Sequence, residues 1–265
     1  MPIERLNFVS SSSSDILVNE HLLRYRLVKQ FVDNKIVLDI ACGSGYGANL
    51  LAKGAKRVIG VDVDNLVITE AKERYKANNL EFIVSSGLDL SLEDKSIDTV
   101  VSLETIEHFS SSDQIKFLKE LKRVLKPEGL LLMSTPNSDA SKHKNPWHLK
   151  ELNKVEFKNL LSSEFTEIEI FQQGTALASV ITRDNNIEEF KASLDQKVYP
   201  KYYIALASNV SLKESLEGKQ LKLASLNTLA WGEREKNLGY RAVDAVYYRL
   251  SRYKIFRRIF KSLKA

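Results

Sequence analysis

The 265-residue sequence predicts an α/β protein in which a mostly parallel sheet is covered by helices on both faces. Three observations carry this prediction. Short apolar runs alternate along the chain with longer runs whose apolar residues recur every three or four positions, which is the pattern of repeated strand–helix–strand units. The lengths of these alternating runs suit a parallel sheet that is covered on both faces. A glycine-rich segment follows the first of them, where such sheets bind ligands.

The elements follow one another at regular intervals. A helix with one apolar face is predicted over 16–32, before the first strand. We predict a helix over 113–129 that is ended by Pro127 and Gly129. The predicted strands are 35–41, 57–63, 80–86, 96–103, 129–136, 165–173 and 201–210, and the other helices are 47–55, 65–79 and 153–163.

Composition narrows the class of protein. Hydrophobic residues make up 43% of the chain and charged residues 28%, which is typical of a globular protein. Cys42 is the single cysteine, so neither a disulfide framework nor a cysteine zinc site is expected. The first residues lack the apolar core of a signal peptide, and no apolar stretch is long enough to span a bilayer. We therefore expect a cytoplasmic protein.

Positive charge is concentrated at the C-terminus. Residues 241–265 contain eight Lys and Arg residues against one Asp, while the whole chain has a net charge of +5. A basic surface for nucleic acid over the whole protein is therefore not expected. The tail reads as an amphipathic basic helix, which suits an anionic membrane surface, a partner groove, or docking within the protein or an oligomer, with docking favoured. We predict an N-terminal segment over 1–19, a central domain over 20–210 and a helical basic extension over 211–265.

The glycine segment predicts the kind of ligand. Residues 43–47 have the spacing G-x-G-x-G, which differs from the G-x-G-x-x-G of dinucleotide-binding folds, and no G-K-[ST] of a phosphate-binding loop follows. Asp39 precedes the loop, where a carboxylate disfavours a pyrophosphate and favours a cation. Asp62 ends the second strand, where an acidic side chain accepts both ribose hydroxyls, and Asp64 is a less favoured alternate. S-adenosylmethionine satisfies these conditions because it is a cationic nucleoside without phosphates.

Four segments in this order carry a family resemblance: VLDIACGSGYG, VIGVDVD, SIDTVVSLETIEHF and LKRVLKPEGLLLMSTPN. Over about residues 20–210 the chain resembles class I S-adenosylmethionine-dependent methyltransferases. More narrowly, EHLLRY, LETIEH and STPN resemble small-molecule methyltransferases of bacterial polysaccharide gene clusters. The resemblance implies a Rossmann-like sheet of seven strands, whose last strand is antiparallel, so that 165–173 and 201–210 form the closing pair.

The resemblance also implies the residues of a cofactor site. The loop glycines lie beneath the methionine part, Asp62 binds the ribose, and Arg24 meets the methionine carboxylate or is simply an exposed helix charge. Relatives commonly place an Asp at the position of Ser86, so either Ser86 or Asp89 is expected to contact the adenine. The implied cofactor residues are Arg24, Asp39, Ala41, Gly43, Gly45, Tyr46, Gly47, Asp62, Val63, Ser86, Gly87, Leu88 and Leu103.

Methyl transfer to a hydroxyl benefits from a base, and histidine is the usual choice. His108 follows the fourth strand, and on a helical turn Glu104 would share its face and orient the imidazole. His108 as a structural residue is an equally good interpretation. His148 lies in a loop after the fifth strand, beside Trp147, on the expected acceptor side. We take Glu104, His108 and His148 as catalytic candidates, and no group of residues has the spacing of a divalent-metal site.

The sequence therefore predicts an S-adenosylmethionine-dependent methyltransferase. The resemblance favours an oxygen of a sugar or glycan in bacterial surface-polysaccharide synthesis as the acceptor. An O-methyltransferase of a quinone or another small aromatic metabolite is the alternative enzyme. A non-catalytic scaffold that keeps the fold is the alternative from another class. Nucleic acid is not an expected partner, whereas peripheral membrane contact through the tail and a homo-oligomer are.

Overall fold

The computed structural model describes residues 15–141, 145–175, 200–219 and 221, with side chains from residue 17 onward. Seven strands form one sheet in the order β3-β2-β1-β4-β5-β7-β6. The strands are β1 (Ile36–Ile40), β2 (Arg57–Asp62), β3 (Leu80–Val84), β4 (Ile97–Leu103), β5 (Leu125–Pro136), β6 (Glu167–Gln173) and β7 (Tyr202–Ser208). The helices are α1 (Asp15–Lys29), α2 (Tyr46–Leu51), α3 (Asn65–Arg74), α4 (Ser111–Val124), α5 (Lys154–Ser162) and α6 (Lys213–Leu216), with a 3₁₀ turn at Ile106–His108.

The strand pairing confirms the predicted sheet. Strands β1 to β5 pair in parallel, whereas β7 runs antiparallel to both β5 and β6 and so closes the sheet as expected. The strand order reverses between β1 and β4, which are neighbours although two strands lie between them in sequence. In open α/β sheets, ligands bind outside the carboxyl ends of the strands at such a reversal. The carboxyl end of β1 is therefore the place to look for a site.

Side chains along each strand point alternately to the two faces of the sheet, which produces two apolar layers. Val37 contributes to the layer that includes residues of α1, α2 and α3, while its neighbour Leu38 contributes to the layer that includes α4 and α5. Phe117 of α4 and Phe157 of α5 are completely buried in the second layer. Burial of a side chain of this size stabilises the fold by about 1.5–3 kcal/mol. The sheet is thus fixed from both faces, and the ends of its strands are held rigidly.

One predicted boundary is wrong. The helix expected over 113–129 ends at Val124, and Pro127 and Gly129 lie inside β5 instead of ending α4. Leu125 already has extended backbone angles, and the register between β4 and β5 shifts after the pair Ile97 and Leu125. Proline biases the residue before it towards extended conformations, so the change to strand occurs upstream of it.

The chain divides into two compact units. Residues 24–221 of the described chain belong to the larger unit, whereas residues 15–23, the first turns of α1, belong to the other. Of the predicted C-terminal extension, the structure describes residues 211–219 and 221, and the amphipathic helix expected further on stays a prediction. The domain boundaries at 19/20 and 210/211 also stay predictions.

Candidate functional site

The three loop glycines have three different structural roles. Gly43 and Gly45 have backbone φ angles of +53° and +78°, in the left-handed region that favours glycine. A Cβ on Gly45 would also lie 2.7 Å from the ring of Phe82. A Cβ on Gly47 would lie 1.9 Å from Cζ of Tyr25, so this glycine makes room for an aromatic ring. Among the described residues, a Cβ on Gly43 would meet nothing within 4 Å, so the loop has an open side there.

Asp39 is buried at the end of β1 and is held by an aromatic hydroxyl. The Tyr25 hydroxyl lies 3.1 Å from Oδ1 and 3.2 Å from Oδ2 of Asp39, while the Tyr25 ring contacts the Tyr46 ring edge-on at 5.4 Å. Burial raises the pKa of Asp39 to about 7, which the Tyr25 hydrogen bond opposes and the nearby Asp62 carboxylate reinforces. The Tyr25 hydroxyl thus connects Asp39 to helix α1.

Asp62 ties the glycine loop to the end of β2. Its Oδ2 accepts a hydrogen bond from the Gly43 amide at 3.0 Å, and its Oδ1 accepts one from the Asp64 amide at 3.0 Å. Each carboxylate oxygen has two lone pairs, so these bonds leave capacity for ribose hydroxyls. The Asp64 side chain caps helix α3 by accepting from the Leu66 amide at 2.8 Å. The structure therefore favours Asp62 over Asp64 as the ribose ligand.

The segment after β3 forms a tight turn. Ser86 and Asp89 face each other across an isolated bridge, and the Ser86 hydroxyl accepts from the Leu88 amide at 3.2 Å. Gly87 is required because a Cβ there would lie 2.7 Å from the ring of Phe117. Ser86 and Asp89 are both exposed, so both proposed adenine contacts stay open.

Three further predicted cofactor residues line the same edge of the sheet. Ala41 has a φ of +56°, an unusual value for a residue other than glycine, and it is exposed. Val63 is 63% exposed directly after β2, which is where an apolar contact to a base would be available. Leu103 is buried at the end of β4. A rare backbone angle at a ligand-binding edge is a common feature of functional sites.

The predicted pairing of Glu104 with His108 is wrong. Glu104 has a φ of +53° and precedes a 3₁₀ turn, so the two residues do not share the face of an α-helix. Oε1 of Glu104 instead accepts from the Ser134 hydroxyl at 2.6 Å and lies 3.9 Å from Nε of Arg24. Nδ1 of His108 lies 3.0 Å from the Trp147 carbonyl oxygen.

Arg24 is not an exposed helix charge, because it is 2% exposed. Its Nη1 donates to Oε1 of Gln173 at 2.7 Å, and its guanidinium lies 4.3 Å from the centre of the Tyr202 ring. Nε of Arg24 has no hydrogen-bond acceptor within the described part of the chain. Arg24 thus lies beside Glu104 with one donor still available, and its contact with the methionine carboxylate stays a prediction.

The structure places two histidines and a buried carboxylate together at the end of β4. The rings of His108 and His148 contact edge-on at 5.0 Å, and Glu107, His108 and His148 each offer a ligand atom within 4.8 Å of the other two. Nδ1 of His148 lies 2.5 Å from Oε1 of Glu151. The expectation that no group has metal-site geometry is therefore corrected. His148 lies 40 residues after His108 in the sequence, so spacing alone does not reveal the group.

Glu107 is the residue of this group that the sequence reasoning missed. It is completely buried, and burial raises the pKa of its carboxyl well above the usual range, reinforced by the neighbouring Glu104 carboxylate. One carboxylate oxygen accepts from the Thr135 hydroxyl at 3.3 Å. The signal in the sequence was the pair Glu107-His108, which closely follows the apolar strand β4. Acidic residues are rarely buried there without a partner or a function.

Comparisons with known proteins show what part of the chain is similar to. Residues 38–133 match the family model described as "Methyltransferase domain". A probable S-adenosylmethionine-dependent methyltransferase of Mycolicibacterium smegmatis is 36% identical over 154 residues, 56% of this chain and 58% of that protein. A second of that name, from Mycobacterium tuberculosis, is 37% identical over 146 residues, 53% of this chain and 52% of that protein. The chain therefore spans about half the length of these curated relatives.

Solved structures show the same fold. A SAM-dependent methyltransferase from Archaeoglobus fulgidus superimposes with a TM-score of 0.55 at 21% identity, covering 71% of this chain and 93% of that one. One from Aquifex aeolicus gives a TM-score of 0.52 at 19% identity, covering 78% and 100%. The predicted Rossmann-like fold is confirmed. Residues 38–133 resemble a methyltransferase domain, and the enzyme class and methyl donor of the whole chain stay predictions. Within the described residues, no helix combines the length and apolarity that a membrane span needs.

Proposed function

We propose that this chain binds S-adenosylmethionine at the carboxyl edge of β1, β2 and β4 and transfers its methyl group to an oxygen of an acceptor. The observation that carries the proposal is the pair Asp39 and Asp62, which lie at the ends of adjacent strands on either side of an open glycine loop. These residues fit the cofactor. The two carboxylates suit its positive charge and its ribose hydroxyls, and the glycine loop leaves space for its methionine part.

Each residue contributes binding or orientation. The bound cofactor supplies an electrophilic methyl group with a good leaving group. Asp62 holds the ribose and the Gly43 amide together, which fixes the loop where the methionine part would lie. Asp39, oriented by Tyr25, supplies negative charge to the amino group. Because the leaving group is already good, holding the acceptor oxygen in line with it is the main task that remains for the protein.

We propose a hydroxyl of a sugar or glycan in bacterial surface-polysaccharide synthesis as the acceptor. The support is the local resemblance of LETIEH and STPN, together with Trp147, which lies next to His148 beside the imidazole pair and is suited to stacking on a sugar face. Imidazoles at this edge would assist removal of the acceptor proton.

A quinone or another small aromatic hydroxyl is the second candidate. A ubiquinone biosynthesis O-methyltransferase of Bartonella tribocorum is 32% identical over 107 residues, 40% of this chain and 42% of that protein. A non-catalytic scaffold is disfavoured, since such a protein has no need to keep Asp62, Asp39 and the loop glycines.

Calorimetry tests the cofactor part of the proposal. Titration with S-adenosylmethionine, S-adenosylhomocysteine and NAD should show tight binding of the first two and none of the third. A scaffold would ignore all three, and an oxidoreductase would prefer NAD. Mass spectrometry of candidate glycans and of hydroxylated quinone precursors, each incubated with methyl-labelled cofactor, tests the acceptor. A methyl gain on the quinone precursor alone would overturn the glycan assignment.

Peripheral contact of a cytoplasmic protein with an anionic membrane is a further proposal, and it depends on the basic tail at 241–265, outside the described residues. Flotation with anionic vesicles should carry the full chain but not a chain ending at about residue 240. If both chains stay in solution, the membrane role fails, and docking within the protein or an oligomer is favoured.

A further inference from the structure

The group at the end of β4 combines the atoms that a transition-metal ion requires. Glu107 offers a carboxylate oxygen, and His108 and His148 each offer an imidazole nitrogen, all within 4.8 Å of one another. In a tetrahedral site with metal–ligand bonds of about 2.1 Å, the ligand atoms lie about 3.4 Å apart. The three ligand atoms therefore need to approach one another by up to about 1.4 Å to share one ion.

His108 has the tautomer of a metal ligand. Its Nδ1 lies 3.0 Å from the Trp147 carbonyl oxygen, which can only accept, so Nδ1 must carry the proton. The lone pair is then on Nε2, the other ring nitrogen. Metal-binding histidines almost always donate their second N–H to a carbonyl or carboxylate, which fixes the ring and makes the ligand nitrogen more basic.

His148 has the same arrangement with a carboxylate. Its Nδ1 lies 2.5 Å from Oε1 of Glu151, so the ring donates through Nδ1 and its lone pair is on Nε2. The Trp147 amide donates to Oδ1 of Asn145, which fixes the amide orientation and directs Nδ2 of Asn145 to Nε2 of His148 at 3.1 Å. An ion at this nitrogen would take the place of the Asn145 donor.

Glu107 has a buried carboxyl oxygen that lacks a partner in the described part of the chain. The side chain is completely buried, and its Oε1 has no hydrogen-bond partner among the residues that the structure describes. Its other carboxyl oxygen contacts the Thr135 hydroxyl at 3.3 Å. Buried polar atoms are normally satisfied, so an unpartnered carboxyl oxygen beside two imidazoles indicates that a bound ion completes the group.

We propose that Glu107, His108 and His148 bind one divalent first-row transition ion, such as Mn²⁺ or Zn²⁺. Two imidazoles and one carboxylate favour these ions over Mg²⁺ and Ca²⁺, which prefer oxygen ligands throughout. Three protein ligands leave positions open for a further ligand. This role rests on the proposed function: the open position takes the acceptor hydroxyl. When the ion is bound, both imidazole lone pairs are used as ligands, so the ion takes over from the histidines the task of assisting deprotonation. The hydroxyl releases its proton to solvent, and its oxygen then bonds to the methyl carbon as the carbon–sulfur bond breaks and S-adenosylhomocysteine leaves.

Metal binding by the full-length chain tests the site without reference to activity. After treatment with a chelator, the protein is titrated with Mn²⁺, followed by the electron paramagnetic resonance signal of the free ion. Co²⁺ is titrated in parallel, followed by its visible absorption. We expect one ion per chain, with a Kd below about 10 µM. His108→Gln and His148→Gln should each weaken binding at least about 100-fold, and Glu151→Gln, which removes only an orienting partner, about 10-fold.

Two variants separate binding from folding. Glu107→Gln keeps the shape of the side chain and removes its charge, and should also abolish tight binding. Asp139→Asn removes an exposed carboxylate after β5 and should bind as the unmodified chain does. The site would be overturned if the unmodified chain bound fewer than one ion. It would also be overturned if the unmodified chain and both histidine variants bound the ion with equal affinity. Both histidines are partly exposed, so these variants remain informative even if Glu107→Gln fails to fold.

The metal site and the proposed function fail separately. Calorimetry of S-adenosylmethionine on the metal-stripped chain should still show binding, because Asp39 and Asp62 are not ligands of the ion. Metal binding without cofactor binding would contradict the proposed function and leave the site standing. Cofactor binding without metal binding would overturn the site alone.

Discussion

The acidic groups at the two ends of the candidate site are stabilised in different ways. At the β1–β2 end, Asp62 accepts two backbone amides and Asp39 accepts a tyrosine hydroxyl. At the β4 end, Glu107 keeps an oxygen without a donor among the described residues, and its neighbours are imidazoles. The first end is organised before any ligand arrives, which suits an organic cation. The β4 end is completed by the metal ion proposed above.

The largest expected effect is the loss of cofactor affinity in an Asp62 variant, which would distinguish the β1–β2 end of the site from the β4 end. Asp62→Ala should weaken S-adenosylmethionine binding by about 150- to 25,000-fold, because two charge-assisted hydrogen bonds to the ribose are worth about 3–6 kcal/mol together. The same variant should bind Mn²⁺ normally, while Glu107→Gln should show the reverse behaviour in both titrations.

Asp64→Ala is the matched control, since this neighbouring carboxylate caps helix α3. We expect it to lower the free energy of unfolding by about 1 kcal/mol and to leave cofactor affinity nearly unchanged. Equal loss of affinity in the Asp62 and Asp64 variants would mean that the ribose assignment is wrong.

A second effect tests how rigidly the β1 end is held. Gly47→Ala should lower the free energy of unfolding by about 1–3 kcal/mol, because the added methyl group overlaps the Tyr25 ring. Denaturation in urea, followed by circular dichroism, measures the change. In a Tyr25→Ala background the same substitution should cost much less.

Gly54→Ala provides the comparison, since a Cβ there would lie 3.9 Å from the nearest atom, Oδ1 of Asp33. This variant should change stability by less than about 0.5 kcal/mol. If the two alanine variants are equally stable, the ring of Tyr25 does not occupy the space at Gly47.

The third effect is a pH dependence at the β1 end. The pKa of Asp39 is raised from 3.8 to about 7, so the folded protein holds this proton where the unfolded chain releases it. The free energy of unfolding should therefore fall as the pH rises from about 4 to about 7. A bound cation favours the carboxylate, so cofactor affinity should rise up to tenfold per pH unit below about 7 and level off above it.

Calorimetry at pH 6.5 in two buffers of different ionisation enthalpy measures the proton released on binding. We expect about three-quarters of a proton from the unmodified chain and almost none from Asp39→Asn. Proton release that persists in that variant would assign the titration to another group.

The smallest expected effect distinguishes the two adenine contacts. One neutral hydrogen bond is worth about 0.5–1.5 kcal/mol, so removing it should weaken cofactor binding by about 2- to 12-fold. Calorimetry of Ser86→Ala and Asp89→Ala shows which side chain makes the bond. The one that leaves affinity unchanged is not the adenine ligand, and a change in neither would remove this turn from the site.

Sequence patterns predicted the sheet well because burial on both faces leaves a nearly continuous apolar signal in the central strands β1, β2 and β4. They also located Asp39, Asp62 and the glycine loop, since these residues lie close together at strand ends that follow from the alternation of elements. The end of α4 was misplaced because Pro127 was expected to stop a helix, whereas Leu125 is already extended.

Long-range contacts could not be read in the same way. Tyr25 lies on α1, before β1, and no pattern in the sequence indicates that its ring packs against Gly47. Glu104 and His108 have helical spacing, yet Glu104 itself has a left-handed backbone conformation and His108 ends a 3₁₀ turn. His148 reaches His108 through a loop, so no periodicity connects the two residues.

The central claim is that a sulfonium nucleoside binds against the glycine loop, and a crystal structure of the chain grown with S-adenosylhomocysteine tests it most directly. We predict that the methionine part lies beside Gly43 and that both ribose hydroxyls lie within hydrogen-bonding distance of the Asp62 carboxylate. A nucleoside bound elsewhere, or a loop that excludes it at saturating concentration, would contradict the account.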